Sequence, residues 1–503
     1  MNKLLISKTT FLDYLFCAKN VWLKLHKPEL LEKFALSEFE KHLLEQGNEV
    51  DAYARNLFSG GMEVVAKGEE AVLETSRFMS MKAPAIFQAT FVQDNFLAKN
   101  DVLAYDKKND KWNLYEVKGT NSLKENVAER DHVDDLTFQA SVLKRAGVEV
   151  DKYFLVHLNK EYIKMGELDV EELFIKDDVT EKVLNKLEEI EEKMEVAKNY
   201  LMSENEPKGN CECLYKGRSN HCTTFHYSNP EVPDYSVHDL ARIGSSKKKL
   251  QTFIEKEIFH LEDVPKDTEL SDIQWNQIRA HKHQKTTINH EKISEVLKGL
   301  KFPLYFFDYE TFAPAIPVFN GFRPYQRIPF QFSLHVLRSS EGELEHFEYL
   351  HEELSDPSEE VAELLGKYIE PQGTVIVWNK SFEAGVNREL GEREPKYKKT
   401  MERINSQLYD LMDIFREQHY VHPGFRGSTS IKKVLPALIS EVELSYKKLG
   451  IKEGGQASNA WWQMVSPSLN KIEKAQISKD LKIYCGVDTK AMYAIWKHLY
   501  ELS

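Results

Sequence analysis

Long apolar runs are missing from this 503-residue chain. No stretch approaches the roughly 20 residues that a helix needs to cross a bilayer, so no membrane association is expected. The opening segment MNKLLISKTTFLDYLF is interrupted by polar residues where a signal peptide needs an unbroken apolar core, and a cytoplasmic protein is expected. Internal repeats, low-complexity tracts and a phosphate-binding glycine loop are also missing, which excludes repeat architectures and an ATPase engine within this chain. Basic residues are in deficit: 67 Lys and Arg against 80 Asp and Glu leave a formal net charge of −13. Phosphate contact wants the opposite sign. The acidic helix EKVLNKLEEIEEKMEVAKNYLMSENE carries much of that excess, however, and a local basic groove can coexist with an acidic whole. What is present is 42% hydrophobic and 29% charged residues, a globular composition in a chain too long for one core, so two to four domains are expected.

The most informative residues lie in FPLYFFDYETF, a strand-like apolar run. Asp308 and Glu310 stand two apart in it, so their carboxylates share one side of the strand. Farther along, Tyr484-Cys-Gly-Val-Asp488 sets a phenol and a carboxylate one helical turn apart, and Asn379-Lys-Ser-Phe382-Glu383 follows the strand TVIVW. Several anionic oxygens are what two divalent ions roughly 3.5–4 Å apart require of a protein. Between these motifs IPFQFSLHVL and LEHFEYLH read as strands and SEEVAELLGKYI as a helix.

This arrangement resembles the DnaQ-like exonucleases, in the subclass whose last motif is Tyr-x-x-x-Asp. The resemblance implies a ribonuclease H-like α/β domain over about 300–503, with Asp308, Glu310, Glu383 and Asp488 holding Mg²⁺ or Mn²⁺ and Tyr484 orienting the attacking water. Where that family usually has Asp after Asn-x-x-Phe, this chain has Glu383. Cys485, inside the tyrosine motif, reads as a small core residue. The C-terminal half also resembles a bacterial family known as a domain of unknown function.

A second constellation precedes it. FLAKNDVLAYD and KWNLYEVKGT read as paired strands joined by the turn KKND, with Asp101 on the first and Glu116 and Lys118 on one face of the second. This resembles the PD-(D/E)XK nucleases, which implies that Asp101 and Glu116 bind Mg²⁺ or Mn²⁺ while Lys118 orients or deprotonates the attacking water. The following helix, DDLTFQASVLKRAGV, places Gln139 near its start, and in RecB-like nucleases a glutamine on this helix sits beside the active site. EQGNEVDAYARNLF resembles that family's first helix, leaving Glu45, Glu49 or Asp51 to complete the metal shell.

Four of the five cysteines bracket this region: Cys17 near the start, then Cys211, Cys213 and Cys222 within the polar GNCECLYKGRSNHC. Four thiolates suffice for an iron–sulphur cluster or a zinc ion, the latter with His221 or His226 as further candidates. One early and three late cysteines resemble the iron–sulphur RecB-like family, including the CRISPR-associated exonucleases and the AddB nuclease domain, and imply a [4Fe–4S] cluster clasping the ends of a domain over about 1–225.

From 226 to 299 a connector is expected. Pro230 and Pro233 mark its boundary, and SVHDLARIGSSKKKLQTFIEKEIFHLEDVP resembles a helix-hairpin pair around Gly244, with Lys247, Lys248 and Lys249 as candidate DNA-backbone contacts. The expected fold class is thus α/β: a PD-(D/E)XK restriction-endonuclease-like domain, a helical connector and a ribonuclease H-like domain. The expected function is metal-dependent hydrolysis of DNA, exonucleolytic end processing in repair or in defence against foreign DNA, with a helicase or defence-system protein as partner. Two alternatives stay open, an RNA-processing exonuclease and a nucleic-acid-binding module with decayed sites.

Overall fold

Alternating apolar residues build two mixed sheets in this protein, seen in a computed structural model that describes residues 4–30, 38–124, 131–439 and 450–502. The fold is mixed α/β, in two units: Met1–Glu231 with Pro314–Gln326, and Val232–Ala313 with Arg327–Ser503. Among the described residues no helix is long and apolar enough to cross a membrane.

The first unit holds a seven-stranded sheet of β1 (Ile6–Ser7), β2 (Met62–Glu63), β3 (Ala85–Gln93), β4 (Phe96–Asp106), β5 (Lys111–Lys118), β6 (Val150–Leu158) and β7 (Phe174–Asp178). Its order is β2-β3-β4-β5-β6-β7, with β1 alongside β4. The β3–β4 and β4–β5 pairs are antiparallel and β5–β6 is parallel. A parallel pair needs a crossover, supplied by the helix His132–Arg145. Asp131 starts that helix by accepting hydrogen bonds from the Val133 and Asp134 backbone N–H groups. Trp112 and Leu114 of β5 pack with Leu136 and Phe138 of this helix and with Ile190 and Met194 of the helix Thr180–Leu201. The intervening Tyr115 and Val117 turn to the opposite face, where Val50 and Ala54 of the helix Glu38–Ala54 cover them. Glu116 and Lys118 continue the Trp112–Leu114 side and therefore lie under the helix that carries Gln139.

The second unit contains β8 (Thr287–Ile288), β9 (Leu304–Phe312), β10 (Ile328–Leu337), β11 (Leu344–Leu350), β12 (Thr374–Val377), β13 (Leu408–Asp410) and β14 (Tyr420–Val421). Five of these form a sheet in the order β11-β10-β9-β12-β13, while β14 pairs with β8. The β11–β10–β9 ladder is antiparallel, and β12 and β13 continue it in parallel. Along β9 the period of two sorts the side chains. Leu304 and Phe306 pack on Met492, Ile495, Trp496 and Leu499 of the long helix Lys471–Leu502. Tyr305, Phe307 and Tyr309 face the other way, onto Val361 and Leu365 of Ser358–Tyr368 and Val386 and Leu390 of Lys380–Arg393. Each such side chain fully buried stabilises the fold by about 1.5–3 kcal/mol relative to exposure. Asp308 and Glu310 extend the Leu304–Phe306 series and so face the long helix.

The helix pair expected around Gly244 is replaced by 3₁₀ turns at Val237–Asp239 and Ile243–Ser245, followed by one α-helix at Lys247–Glu255. Ser236 and Asp239 close the first turn with reciprocal caps, Leu240 is extended, and Arg242 is left-handed at φ 58°. A continuous helix cannot pass through those three conformations. From Val232 onward this segment groups with the second unit.

Candidate functional sites

Four carboxylates of the second unit, from one strand and two helices, act on one another around Asp308. Asp308 and Glu310 come from β9, opposite Ser333 and Gln331 of β10. Asp488 comes from the long helix, whose register is held by β10 side chains: Gln331 Nε2 donates to Leu481 O at 3.0 Å, and Thr489 Oγ1 lies 2.7 Å from Ser333 Oγ and 2.8 Å from His335 Nδ1. Glu383 comes from the first turn of the helix Lys380–Arg393. Just before that helix, Asn379 takes a strained φ of 137°, a backbone state that is kept only where its surroundings enforce it. Ser381 Oγ bonds its side chain at 2.7 Å, and Asp410 Oδ2 at the end of β13 accepts from Lys380 N at 3.2 Å.

Burial first, and then the mutual repulsion of Asp488, Glu310 and Glu383, pushes the Asp308 carboxyl far above the usual carboxylate range. Glu310 is displaced the same way by burial and Asp488. Glu383, 2% exposed, is pushed up to about 8 by burial, with its own backbone N–H opposing and Asp410 adding. Its Oε2 is buried without a hydrogen-bond partner. A set of like charges with an unsatisfied oxygen has the electrostatics of a cation site. Tyr484 is buried beside them, its phenol pushed up by burial and by Asp488, with the Lys432 ammonium 5.8 Å from its ring centroid. Lys432, from the helix Ile431–Leu438, also lowers the Glu310 carboxyl. No local motif marks it in the sequence.

The first unit gathers a second group. Lys118 Nζ lies 2.8 Å from Glu116 Oε1 and also pairs with Asp135 Oδ2. Gln139 Nε2 donates to Glu116 Oε2 at 2.7 Å and to Asp135 Oδ1 at 3.0 Å, while Asn100 Nδ2 donates to Gln139 Oε1 at 2.7 Å. Gln139 stands in the middle of its helix, which begins at His132, rather than near its start. Asp101 Oδ2 accepts the Val117 backbone N–H at 2.8 Å. Burial, then Glu116, pushes the Asp101 carboxyl up to about 8. Glu116 is held below the usual range, since the Lys118 and Lys8 ammonium groups and the Gln139 hydrogen bond outweigh its burial. Lys8 was missed by sequence reasoning: from the start of the helix Lys8–Phe16 it pairs with Glu116 and lies 3.6 Å from Asp135 Oδ1. Of the three acidic residues left open on Glu38–Ala54, Asp51 is the one whose charge acts on Asp101. It bonds Arg55 at 2.7 Å and leaves Oδ1 buried without a partner, whereas Glu45 and Glu49 are exposed.

The cysteines form a third cluster. The ligand atoms of Cys17, Cys211, Cys213 and Cys222 all lie within 4.8 Å of one another, all four residues are buried, and none is in a disulfide. Such a set can bind a metal. Cys17 occupies the extended residue between the helices Lys8–Phe16 and Ala18–His26, and Cys211 and Cys213 sit at the start of a 3₁₀ turn. Asn20 ties the two ends together, its Oδ1 accepting from Thr223 Oγ1 at 3.0 Å and Thr224 Oγ1 at 2.9 Å. Hydrogen bonds from the other three thiols hold Cys211 well below the ordinary thiol range, and Asn229 Nδ2 adds a donor 3.3 Å from its sulfur. His221 is not in the group; its ring stacks on Phe225 at 3.5 Å and bonds Lys216 O at 3.0 Å. His226 is exposed. Lys248 and Lys249 lie in the first turn of Lys247–Glu255, Lys248 exposed and Lys249 half-buried; the Lys247 side chain lies outside the described residues.

Residues 305–430 match the family model described as Domain of unknown function (DUF2779). The match takes in Asp308, Glu310 and Glu383, and stops before Lys432, Tyr484 and Asp488. Among curated proteins the chain is 30% identical over 242 residues to the uncharacterized protein MG366 homolog of Mycoplasma pneumoniae, covering 44% of this chain and 36% of that one. It is 29% identical over 229 residues to MG366 of Mycoplasma genitalium, covering 42% and 34%. The uncharacterized protein UU173 of Ureaplasma parvum is 34% identical over 134 residues, covering 24% and 19%. The matched stretch spans about a third or less of each relative's length.

Proposed function

We propose that this chain is a metal-dependent nuclease with two sites, one built on a PD-(D/E)XK-type hairpin and one on a ribonuclease H-like sheet, acting on DNA ends in repair or in defence against foreign DNA. The observation that carries the reading is the gathering of Glu310, Glu383 and Asp488 around Asp308, whose carboxyl burial and their charges push up. The order β11-β10-β9-β12-β13, with only the first three strands antiparallel, supports the ribonuclease H-like assignment. The four carboxylates fit Mg²⁺ or Mn²⁺, hard ions that prefer oxygen donors. When bound, such ions offset phosphate charge and make water more acidic. Tyr484 would orient the attacking water, and Lys432, whose charge acts on Glu310, would add positive charge beside the carboxylates. In the first unit Asp101, Glu116 and Asp51 supply oxygens to the same kind of ion. Lys118, fixed by Asp135 and Glu116, orients the water there and accepts no proton while it stays charged.

The four buried thiols fit a [4Fe–4S] cluster, with zinc as the second candidate. In either case the group's work is structural, tying residue 17 to residues 211–222. A helicase or another defence-system protein that delivers DNA ends is the partner this reading implies.

Labelled single-stranded DNA, duplex DNA and RNA, each incubated with Mg²⁺ or Mn²⁺, test the proposal. DNA is expected to be shortened, and Asp308→Ala in a Lys118→Ala background is expected to lose about 10³-fold of the remaining rate. Failure to cut any of the three polymers with either ion would overturn it.

A further inference from the structure

Cys485 lies within the tyrosine motif, and the sequence alone marks it as core. It is fully buried, yet its sulfur is not surrounded only by apolar groups: its Sγ lies 3.9 Å from Asp308 O. The ligand atoms of Asp308, Glu310 and Cys485 all fall within 4.8 Å of one another. Donors sharing one ion at about 2.0–2.3 Å are separated by roughly 3–4.5 Å, so the three can meet on a single cation with small side-chain adjustments. A second, independent observation marks the place as a ligand site: the buried Glu383 Oε2 has no partner, and the Glu383 charge acts on Asp308. On the helix, Cys485 and Asp488 are three residues apart and share a face.

We propose that Cys485 is a sulfur ligand of the C-terminal carboxylate site, giving it a mixed oxygen and sulfur donor set that selects softer divalent ions such as Zn²⁺ or Cd²⁺ over Mg²⁺. The inference rests on the metal-dependent reading of this site and names its ion class. On binding, the S–H bond breaks, the proton leaves to solvent, and the sulfur lone pair forms the bond to the ion. Thiolate raises affinity for soft ions and leaves the hard Mg²⁺ to the carboxylates. A site of this kind still takes Mg²⁺ on its carboxylates and holds Zn²⁺ or Cd²⁺ more tightly through the thiolate.

Calorimetric titration of the full chain with Mg²⁺, Mn²⁺ and Cd²⁺, its four-cysteine cluster already loaded, tests this. Asp308→Asn serves as the reference for binding elsewhere. Wild type is expected to bind Cd²⁺ about 100-fold more tightly than Mg²⁺ at this site, with a sulfur-to-cadmium absorption band near roughly 240 nm in the difference spectrum. Cys485→Ser and Cys485→Ala are expected to lose at least about tenfold in Cd²⁺ affinity while Mg²⁺ affinity stays within about twofold, which also shows that both variants remain folded. Unchanged Cd²⁺ affinity in both variants, or no such band in the wild type, would overturn the thiol ligand while leaving the carboxylate site standing. Identical titrations of Asp308→Asn and wild type with all three ions would overturn the metal site and the thiol ligand together.

Discussion

Replacing Glu383 by Gln puts a number on the electrostatics of the C-terminal site. The glutamate is 2% exposed and its carboxyl is pushed from 4.5 up to about 8, chiefly by burial. A carboxyl raised in the folded state keeps its stabilising protonated form below the unfolded value and loses that stability as pH climbs through the folded one. The wild type without divalent ions therefore weakens between pH 4.5 and about 8. At about 1.4 kcal/mol per unit, the interval corresponds to at most about 5 kcal/mol. The amide of Gln cannot ionise, so it removes this pH dependence, but its NH₂ carries one more donor than the protonated carboxyl in a place where Oε2 already has no partner, costing about 1–3 kcal/mol. The two curves should cross. At pH 4.5 Glu383→Gln is expected to be less stable than wild type by about 1–3 kcal/mol, and at pH 8.5 more stable by about 2–4 kcal/mol. Urea unfolding followed by tryptophan fluorescence, in buffer stripped of divalent ions by a chelating resin, reads this unit through Trp378, Trp461, Trp462 and Trp496. Adding Mn²⁺ at pH 8.5 to about 100 times its dissociation constant should narrow that gap, since it stabilises a competent site by about 2.7 kcal/mol and the variant less. A difference between the proteins that does not change with pH would refute the assignment of a carboxyl raised by burial.

Four further outcomes are expected. With the C-terminal site disabled by Asp308→Ala, Lys118→Ala should reduce cutting while Mn²⁺ binding by calorimetry is largely retained, whereas Asp101→Ala should weaken binding itself; equal affinities in both variants would contradict their separate roles. Lys8→Met should reduce cutting by that same site about 10- to 100-fold, because it removes a cation paired with Glu116; an unchanged rate would leave Lys8 a surface ion pair. Cys17→Ser should open a loop of roughly 190 residues and cost a few kcal/mol, so limited proteolysis should cut the first unit first. Anaerobically purified wild type should be brown with absorbance near roughly 400 nm and about four irons, and a colourless protein holding one zinc would replace the cluster while keeping the clasp.

The sequence by itself determined what depends on short-range period. Asp308 and Glu310 share a face because strand side chains alternate, Glu116 and Lys118 do so for the same reason, and Tyr484 and Asp488 align because a helix repeats every 3.6 residues. The polar run around Cys211, Cys213 and Cys222 marked itself, since so many cysteines among glycine, asparagine and lysine have no core to fill. Period says nothing about which distant element covers a face. Glu45, Glu49 and Asp51 lie on one helix with equal standing in the sequence, and only packing of Val50 and Ala54 against the sheet turned Asp51 toward Asp101. Lys8 reaches Glu116 across 108 positions, and Lys432 acts on Glu310 through its charge from a helix with no motif of its own. Cys485 reads as a core residue in the sequence, yet its sulfur lies within 4.8 Å of the Asp308 and Glu310 carboxylates, a placement set by the register in which β10 holds the long helix through Gln331 and Ser333. The expected helix pair around Gly244 failed for a local reason of another kind: side-chain caps at Ser236 and Asp239 and a left-handed Arg242 satisfy the backbone without a helix, an outcome that hydrophobic spacing does not encode. Chemistry-bearing residues were thus legible in pairs within one element, and their assembly into sites was decided by the long-range contacts of the tertiary structure.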